Sequence, residues 1–370
     1  MSTRAALSQD EAFARIRLLR SPNVGPVSFA QLMARFGTAR AAIEVLPELA
    51  GKGRRTYRVA AEERVTSEIA AVRKAGARYL FLDSPDYPAL LAASEGAPPI
   101  LTVRGDVSRA HAPCIAVVGA RNASVAALKL ARDFSLALAE AGCTVVSGLA
   151  RGIDGSAHVG ALSAGGGATV GVIASGIDIA YPPEHADLQE RIAQEALLIA
   201  EQPPGTEPLA RHFPSRNRII AGLAAATLVV EAAPRSGSLI TARLAGEFGR
   251  EVMAIPGSPL DARSHGCNQL IRDGAVLVQS PEDVMELISG FDGKPRAVLQ
   301  EAVTVGEWPE HPDVGNSPDL AGMLTLAPVG VDELVRQSGE SPSAVQLALL
   351  ELELMGRLIR HAGARVSLAP

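Results

Sequence analysis

Aromatic side chains make up only 4% of this 370-residue chain. That scarcity argues against recognition surfaces built from rows of stacking rings, such as OB-folds or RNA-recognition modules. Cysteine is equally sparse. Cys114, Cys143 and Cys267 are odd in number, far apart and without CxxC spacing. Neither a disulfide framework nor a zinc site is indicated, and a reducing compartment is expected. No uncharged apolar run reaches the roughly 18 residues of a membrane span, and Arg15, Arg17 and Arg20 interrupt the apolar residues near the start. Neither a membrane anchor nor a signal peptide is therefore expected, and the reading is a cytoplasmic protein. Charged residues are only 20% and the net charge is −5, so wholesale electrostatic coating of nucleic acid is excluded. Any phosphate binding must use a local basic patch.

What the chain does have is 47% hydrophobic residues, 35 glycines and 25 prolines. That composition fits a compact α/β protein with many tight turns, and the length fits two or three domains. Residues 1–75 read as a helical domain, with apolar periods beginning at Phe13, at Ser28 and at Ala60. Between the first two, Ser21-Pro22-Asn23-Val24-Gly25-Pro26 resembles the hairpin of helix-hairpin-helix or SAM-like domains, whose backbone N–H groups meet a DNA phosphate; a plain interhelical turn is the competing reading. From 76 to 290 the pattern becomes short apolar β-branched runs alternating with helical ones. Arg78–Leu82, Ile100–Val103, Ile115–Val118, Thr144–Val146, Thr169–Ile173, Leu197–Ala200, Thr227–Val230, Glu251–Ile255 and Ala275–Val278 are the expected strands. Continuous apolar strands separated by helices predict a doubly wound, mostly parallel sheet of extended Rossmann type. Residues 291–317 read as a linker, and 318–370 as a winged-helix-like domain. Its longer helix, starting at Ser341-Pro342, carries Glu351 and Glu353 and no basic residue. Docking to protein is thus favoured over reading a DNA groove.

The chemistry concentrates at strand ends. Gly119-Ala120-Arg121 follows one strand, and Ser147-Gly148-Leu149-Ala150-Arg151-Gly152 follows the next. Glycine after a strand lets an anion approach a helix N-terminus, and adjacent strand ends of this kind form a shared crevice. Arg211-His212-Phe213-Pro214-Ser215-Arg216-Asn217-Arg218 gathers three arginines before an apolar helix, with no acid among them. Guanidinium forks suit phosphate oxygens. Ser236-Gly237-Ser238 adds small donors at a further strand end. A single mononucleotide needs fewer such ends; a strand of successive phosphates uses them all. Asp154 and His158 have no evident nucleophile and are read as structural.

Together with Tyr181-Pro182-Pro183, Glu201-Gln202-Pro203-Pro204-Gly205 and Pro256-Gly257, these segments resemble, in order and spacing, the motifs of the DprA (Smf, DNA-processing) family. The resemblance implies an extended Rossmann fold flanked by helical and winged-helix modules, homodimerisation, single-stranded DNA held in a basic pocket, and loading of RecA onto DNA in natural transformation. No catalytic residue, metal or cofactor is implied. The candidate DNA-binding residues are Gly119, Arg121, Ser147, Gly148, Arg151, Gly152, Arg216, Asn217, Arg218, Ser236, Gly237 and Ser238. By position, Arg121 and the loop glycines and serines would hold phosphates, and Arg216 and Arg218 would line or buttress the pocket. Gly165-Gly166-Gly167-Ala168 stands where the family can carry a basic residue, so that contact is absent or supplied by Arg151. Ala200-Glu201 replaces the family's Ser-Glu. The rival expectation is a nucleotide-processing enzyme of the phosphoribohydrolase (lysine-decarboxylase-like) class. Such enzymes resemble one another in a Pro-Gly-Gly-x-Gly-Thr loop, whereas this chain has Pro234-Arg235-Ser236-Gly237-Ser238. A third expectation, an adaptor with a vestigial pocket, is opposed by the arginine cluster.

Overall fold

A computed structural model describes residues 7–50, 57–290, 318–361 and 363–369. The expected linker, 291–317, lies outside the described residues. The helices α1 (Gln9–Leu19), α2 (Pro26–Phe36), α3 (Ala39–Ala50) and α4 (Glu62–Lys74) come first. The middle of the chain alternates β1 (Arg78–Phe81), α5 (Ala89–Ala92), β2 (Ile100–Gly105), β3 (Cys114–Val118), α6 (Val125–Glu140), β4 (Thr144–Ser147), α7 (Ile153–Ser163) and β5 (Thr169–Gly176). It continues through α8 (Ala186–Glu195), β6 (Leu197–Gln202), α9 (His212–Leu223), β7 (Ala226–Val229), α10 (Gly237–Glu247), β8 (Glu251–Ala254), α11 (His265–Arg272), β9 (Val276–Leu277) and α12 (Pro281–Ile288). The last elements are β10 (Val329–Gly330), α13 (Val331–Ser338), α14 (Pro342–Leu354), β11 (Leu358–His361) and β12 (Arg365–Leu368). By contacts the chain forms two compact units, Glu68–Val298 and the combination of Met1–Ser67 with Leu299–Pro370.

The first unit holds a nine-stranded sheet of order β1-β2-β6-β5-β4-β3-β7-β8-β9. Strands β6 to β9 in that order are parallel, and β1 and β2 join antiparallel at one edge. Alternate residues serve opposite faces. Ile115 and Val117 of β3 enter one core, while Ala116 and Val118 enter the other. This double burial is why the strands read as unbroken apolar runs. The strand order reverses between β3 and β7, which opens a crevice beyond their carboxyl ends.

His158 lies fully buried on α7 below that crevice. The Thr169 hydroxyl donates to the Val145 carbonyl at 2.8 Å, so it must accept from His158 Nδ1–H, also at 2.8 Å. Nε2 then carries the bare lone pair. Burial, followed by the neighbouring His185 and Arg216, lowers the His158 pKa to about 3.

In the second unit, residues from both ends of the chain share one core. Helix α14 is apolar around most of its circumference, as expected of a helix covered on two sides. Its Val345, Ala348, Leu349 and Leu352 pack into the winged-helix core with Leu334, Leu358 and Val366. Its Leu347, Leu350 and Leu354 join Leu18, Phe29, Leu32 and Leu46 of the N-terminal helices. Polar contacts fix the register. Gln31 Nε2 donates to Gln346 Oε1 at 2.7 Å, and Arg360, ion-paired with Glu353 at 2.8 Å, also donates to Gln31. At the interhelical turn, Asn23 donates to the Leu354 carbonyl at 2.9 Å, and the Gly25 N–H is taken by Ser28 Oγ at 2.8 Å. The Gly25 N–H, and the Val24 N–H that the Ser21 carbonyl accepts at 3.3 Å, are thus engaged within the chain. The helix α3 adds to the three expected ones; Pro47 inside it obscured the helical signal.

Two outcomes follow. Because His158 binds a proton more readily unfolded, at about 6.5, its contribution is complete above that pH and declines as pH falls toward 3. The Rossmann unit should lose up to about 1.4 kcal/mol per pH unit from this group. In chemical denaturation, the stability gap between wild type and His158→Asn should narrow between pH 6.5 and 4.5; a constant gap would contradict the assignment. For the second unit, Leu350→Ala should cost about 2–5 kcal/mol and raise amide exchange in α1–α3 as well as in α14. Exchange raised in α14 alone would refute the shared core.

Candidate nucleic-acid interface

The carboxyl ends of β3, β4, β5 and β7, together with the start of α9, enclose two adjoining cavities of about 350 and 780 Å³. Both are lined by Arg121, Asn122, Ala150, Phe213 and Arg216. The smaller one reaches Gly148, Arg151 and Tyr181, and the larger one runs past Asn217 to Arg235, the Ser236–Ser238 turn and Arg263.

Arg216 forms the floor. It is 5% exposed, and its Nη1 donates to the Val172 carbonyl at 2.9 Å. A Cβ on residue 148 would fall 1.5 Å from that Nη1, so glycine is required for the guanidinium to cross beneath the β4 loop. Asp154, the opposing carboxylate, accepts from the Gly148 N–H at 3.1 Å. Burial raises the Asp154 pKa, and the Arg216 charge opposes that rise. Burial likewise lowers Arg216, to about 10, which leaves the guanidinium charged at neutral pH. The loop above is strained. Leu149 has φ +57°, a left-handed conformation rare for a leucine, and is held by its fully buried side chain. Gly152 follows at φ +75°, where a Cβ would meet the Ala120 carbonyl at 2.3 Å.

The walls carry charge and rings. The Arg121 guanidinium stands 5.0 Å over the Phe213 ring, and Phe213 lies 5.8 Å from Tyr181. Stacking of this kind holds a guanidinium by about 0.5–2 kcal/mol and leaves its N–H edge outward. Arg121 and Arg235 are exposed and form no ion pair among the described residues. Arg151 pairs with Glu184 at 2.5 Å and Arg263 with Asp261 at 2.9 Å, both at the surface. Arg235 has φ +69°, and α10 begins just after it with no acid in its first turn. This helix N-terminus suits an anion.

The N-terminus of α6, after the Gly119 loop, differs. Both Glu231 carboxylate oxygens are engaged by Ser124, one by its N–H at 3.0 Å and one by its hydroxyl at 2.7 Å. The position that the glycine pattern reserves for a phosphate is thus filled by the chain's own carboxylate. Glu231 also accepts the Ala120 N–H through its carbonyl at 2.7 Å, which clamps the loop bearing Arg121.

Of the residues expected to bind DNA, Gly119, Arg121, Gly148, Arg151, Arg216, Asn217, Ser236, Gly237 and Ser238 line the crevice. Ser147, Gly152 and Arg218 do not. Ser147 is fully buried and donates to the Val117 carbonyl at 2.6 Å. Gly152 shapes the loop from behind. Arg218 is tied to Glu201 and to the Gly96 carbonyl, so its charge is spent on packing. Sequence reasoning passed over Asn122, Tyr181, Phe213, Arg235 and Arg263 as site residues. Arg235 and Phe213 sit inside segments already singled out, but nothing in the sequence aligns Tyr181 with Phe213. The pairing of Glu231 with Ser124, 107 residues earlier, has no local signature.

The family described as DNA recombination-mediator protein A matches residues 78–289; a DprA-like N-terminal HHH domain matches 9–71 and a DprA winged helix domain 309–364. Protein Smf of Synechocystis sp. is 34% identical over 316 residues, covering 78% of this chain and 79% of that protein. DNA processing protein DprA of Streptococcus pneumoniae is 46% identical over 199 residues, 54% of this chain and 70% of its own. The solved S. pneumoniae DprA superposes with a TM-score of 0.64 at 36% identity, over 74% of this chain and 97% of that one. The Helicobacter pylori protein, described for its single-stranded DNA binding mode, superposes with a TM-score of 0.52 at 26% identity, over 57% and 96%. With the core family matched over more than half its length and both flanking modules in order, the chain belongs to the DprA family of DNA-processing proteins.

Proposed function

We propose that this protein binds single-stranded DNA along the crevice and presents the strand to the RecA recombinase during transformation or recombination. It acts as a cytoplasmic homodimer and without turnover. The observation that carries DNA binding is the convergence of unpaired Arg121 and Arg235, buried Arg216 and the α10 N-terminus along one continuous cleft. Phosphates would lie against the guanidinium edges and the Ser236–Ser238 turn. The Tyr181–Phe213 pair offers a base a ring face. A duplex keeps its base faces stacked inside and cannot use those rings. The H. pylori relative's single-stranded DNA binding supports this reading, and RecA transfer and dimerisation rest on family membership.

The nucleotide-processing alternative needs a carboxylate free to act near the ligand. Glu231 has both oxygens bound by Ser124, and Asp154 is buried against Arg216. The winged-helix α14 is committed to two cores, so it has no face left for a major groove while so packed. No helix among the described residues is long and apolar enough to cross a membrane.

Fluorescence anisotropy with an oligothymidylate over a range of salt tests the proposal. Each phosphate contact contributes about −0.7 to the log–log slope on a single strand. Arg121→Glu should weaken binding at least about tenfold and make the slope shallower, with an unchanged melting temperature because Arg121 is exposed. Undiminished affinity in Arg121→Glu, or hydrolysis of a nucleoside monophosphate by the wild type, would refute it.

A further inference from the structure

Apolar side chains scattered singly over a surface are ordinary, whereas a gathered set of them marks an interaction site. Ten large ones stand exposed among the described residues, and five of them belong to the loops or first helical turns that follow five of the parallel strands: Val125 after β3, Tyr181 after β5, Leu209 after β6, Ile240 after β7 and Leu260 after β8. The loops leading into the amino ends of β3, β4, β5, β7 and β8 carry none of the ten. Val125 is 85% exposed and Leu260 96%. Because these strands are parallel, all five residues stand at the edge of the sheet that holds the crevice. Tyr181 and Ile240 line it directly. Val125 is three residues beyond the lining Asn122, Leu209 adjoins the lining Ala210, and Leu260 is three residues before the lining Arg263.

From this arrangement we infer that the apolar residues form a rim that receives the unpaired bases of the bound strand, while the arginines inside take its phosphates. The inference rests on the crevice being the DNA site and adds what contacts the bases. Along the strand order β6-β5-β4-β3-β7-β8 the loops bearing these apolar residues also bear Arg121 and Arg235, so the edge complements a ligand that is anionic along one side and apolar along the other. A single strand has that character. A duplex hides its base faces within the stack. Selectivity for single strands then follows from the rim rather than from the charges, which attract any nucleic acid.

The test compares two ligands of equal length, an oligothymidylate and an abasic deoxyribose-phosphate chain, on wild type and on the double variant Val125→Ser with Leu260→Ser. Both residues are at the surface, so the variant should fold normally. The expected result is a loss of about tenfold for the oligothymidylate, no change for the abasic chain, and an unaltered salt slope, since apolar contacts release no counterions. Unchanged oligothymidylate affinity, or an equal loss on both ligands, would overturn the inference. So would a variant that changes only the oligomeric state in light scattering, which would mark the rim as a contact between copies. Wild type binding both ligands equally well would sink the rim alone. Wild type binding neither would sink the crevice reading beneath it.

Discussion

A guanidinium ion cannot be left without compensation inside a protein, and the loops around Arg216 are organised by that requirement. Its charge is opposed by Asp154, one of its amino groups is satisfied by the Val172 carbonyl, and its path beneath the β4 loop exists only because residue 148 has no side chain. Asp154 in turn holds the Gly148 N–H, and the left-handed Leu149 next to it is anchored in the core. Replacing one member of this set would leave either a buried charge or an unfilled turn. The crevice floor is therefore rigid, and a ligand meets a positive surface already in place, with little ordering left to be done on binding.

A second constraint acts on the opposite wall. In a dinucleotide-binding Rossmann fold the first glycine loop and its helix receive a pyrophosphate. Here Glu231 takes that position through Ser124, and the same residue's carbonyl ties down the loop carrying Arg121. On the proposed function the anion-accepting end would be that of α10, where Arg235 and the Ser236–Ser238 turn line the cleft. The crevice keeps the place that ligands take in open α/β sheets, and a different helix N-terminus opens toward it.

Much of this was legible beforehand. Apolar runs located all nine strands of the main sheet, most plainly the central ones, because a strand buried on both faces leaves a pattern independent of its partners. Glycine and arginine at strand ends marked the crevice, because parallel topology places those ends on one edge. What stayed hidden depends on distant pairing. Arg218 and Arg216 stand two residues apart on one helix and look equivalent in sequence; Glu201 and Gly96 neutralise one, while the other faces the cleft. The joining of α14 to helices more than 300 residues earlier, as in Asn23 with Leu354, has no local signature either. Only its apolar circumference hinted that it needs two partners.

On the proposed function, consecutive phosphates of a single strand would lie between Arg121 and the Ser236–Ser238 turn, above Arg216. A crystal structure of the protein with a short oligothymidylate tests it most directly. At least two successive phosphates are expected against those groups, with bases turned toward Phe213 and the surrounding apolar side chains. A strand lying on the three-stranded sheet of the winged helix, or an empty crevice beside DNA bound elsewhere, would contradict it.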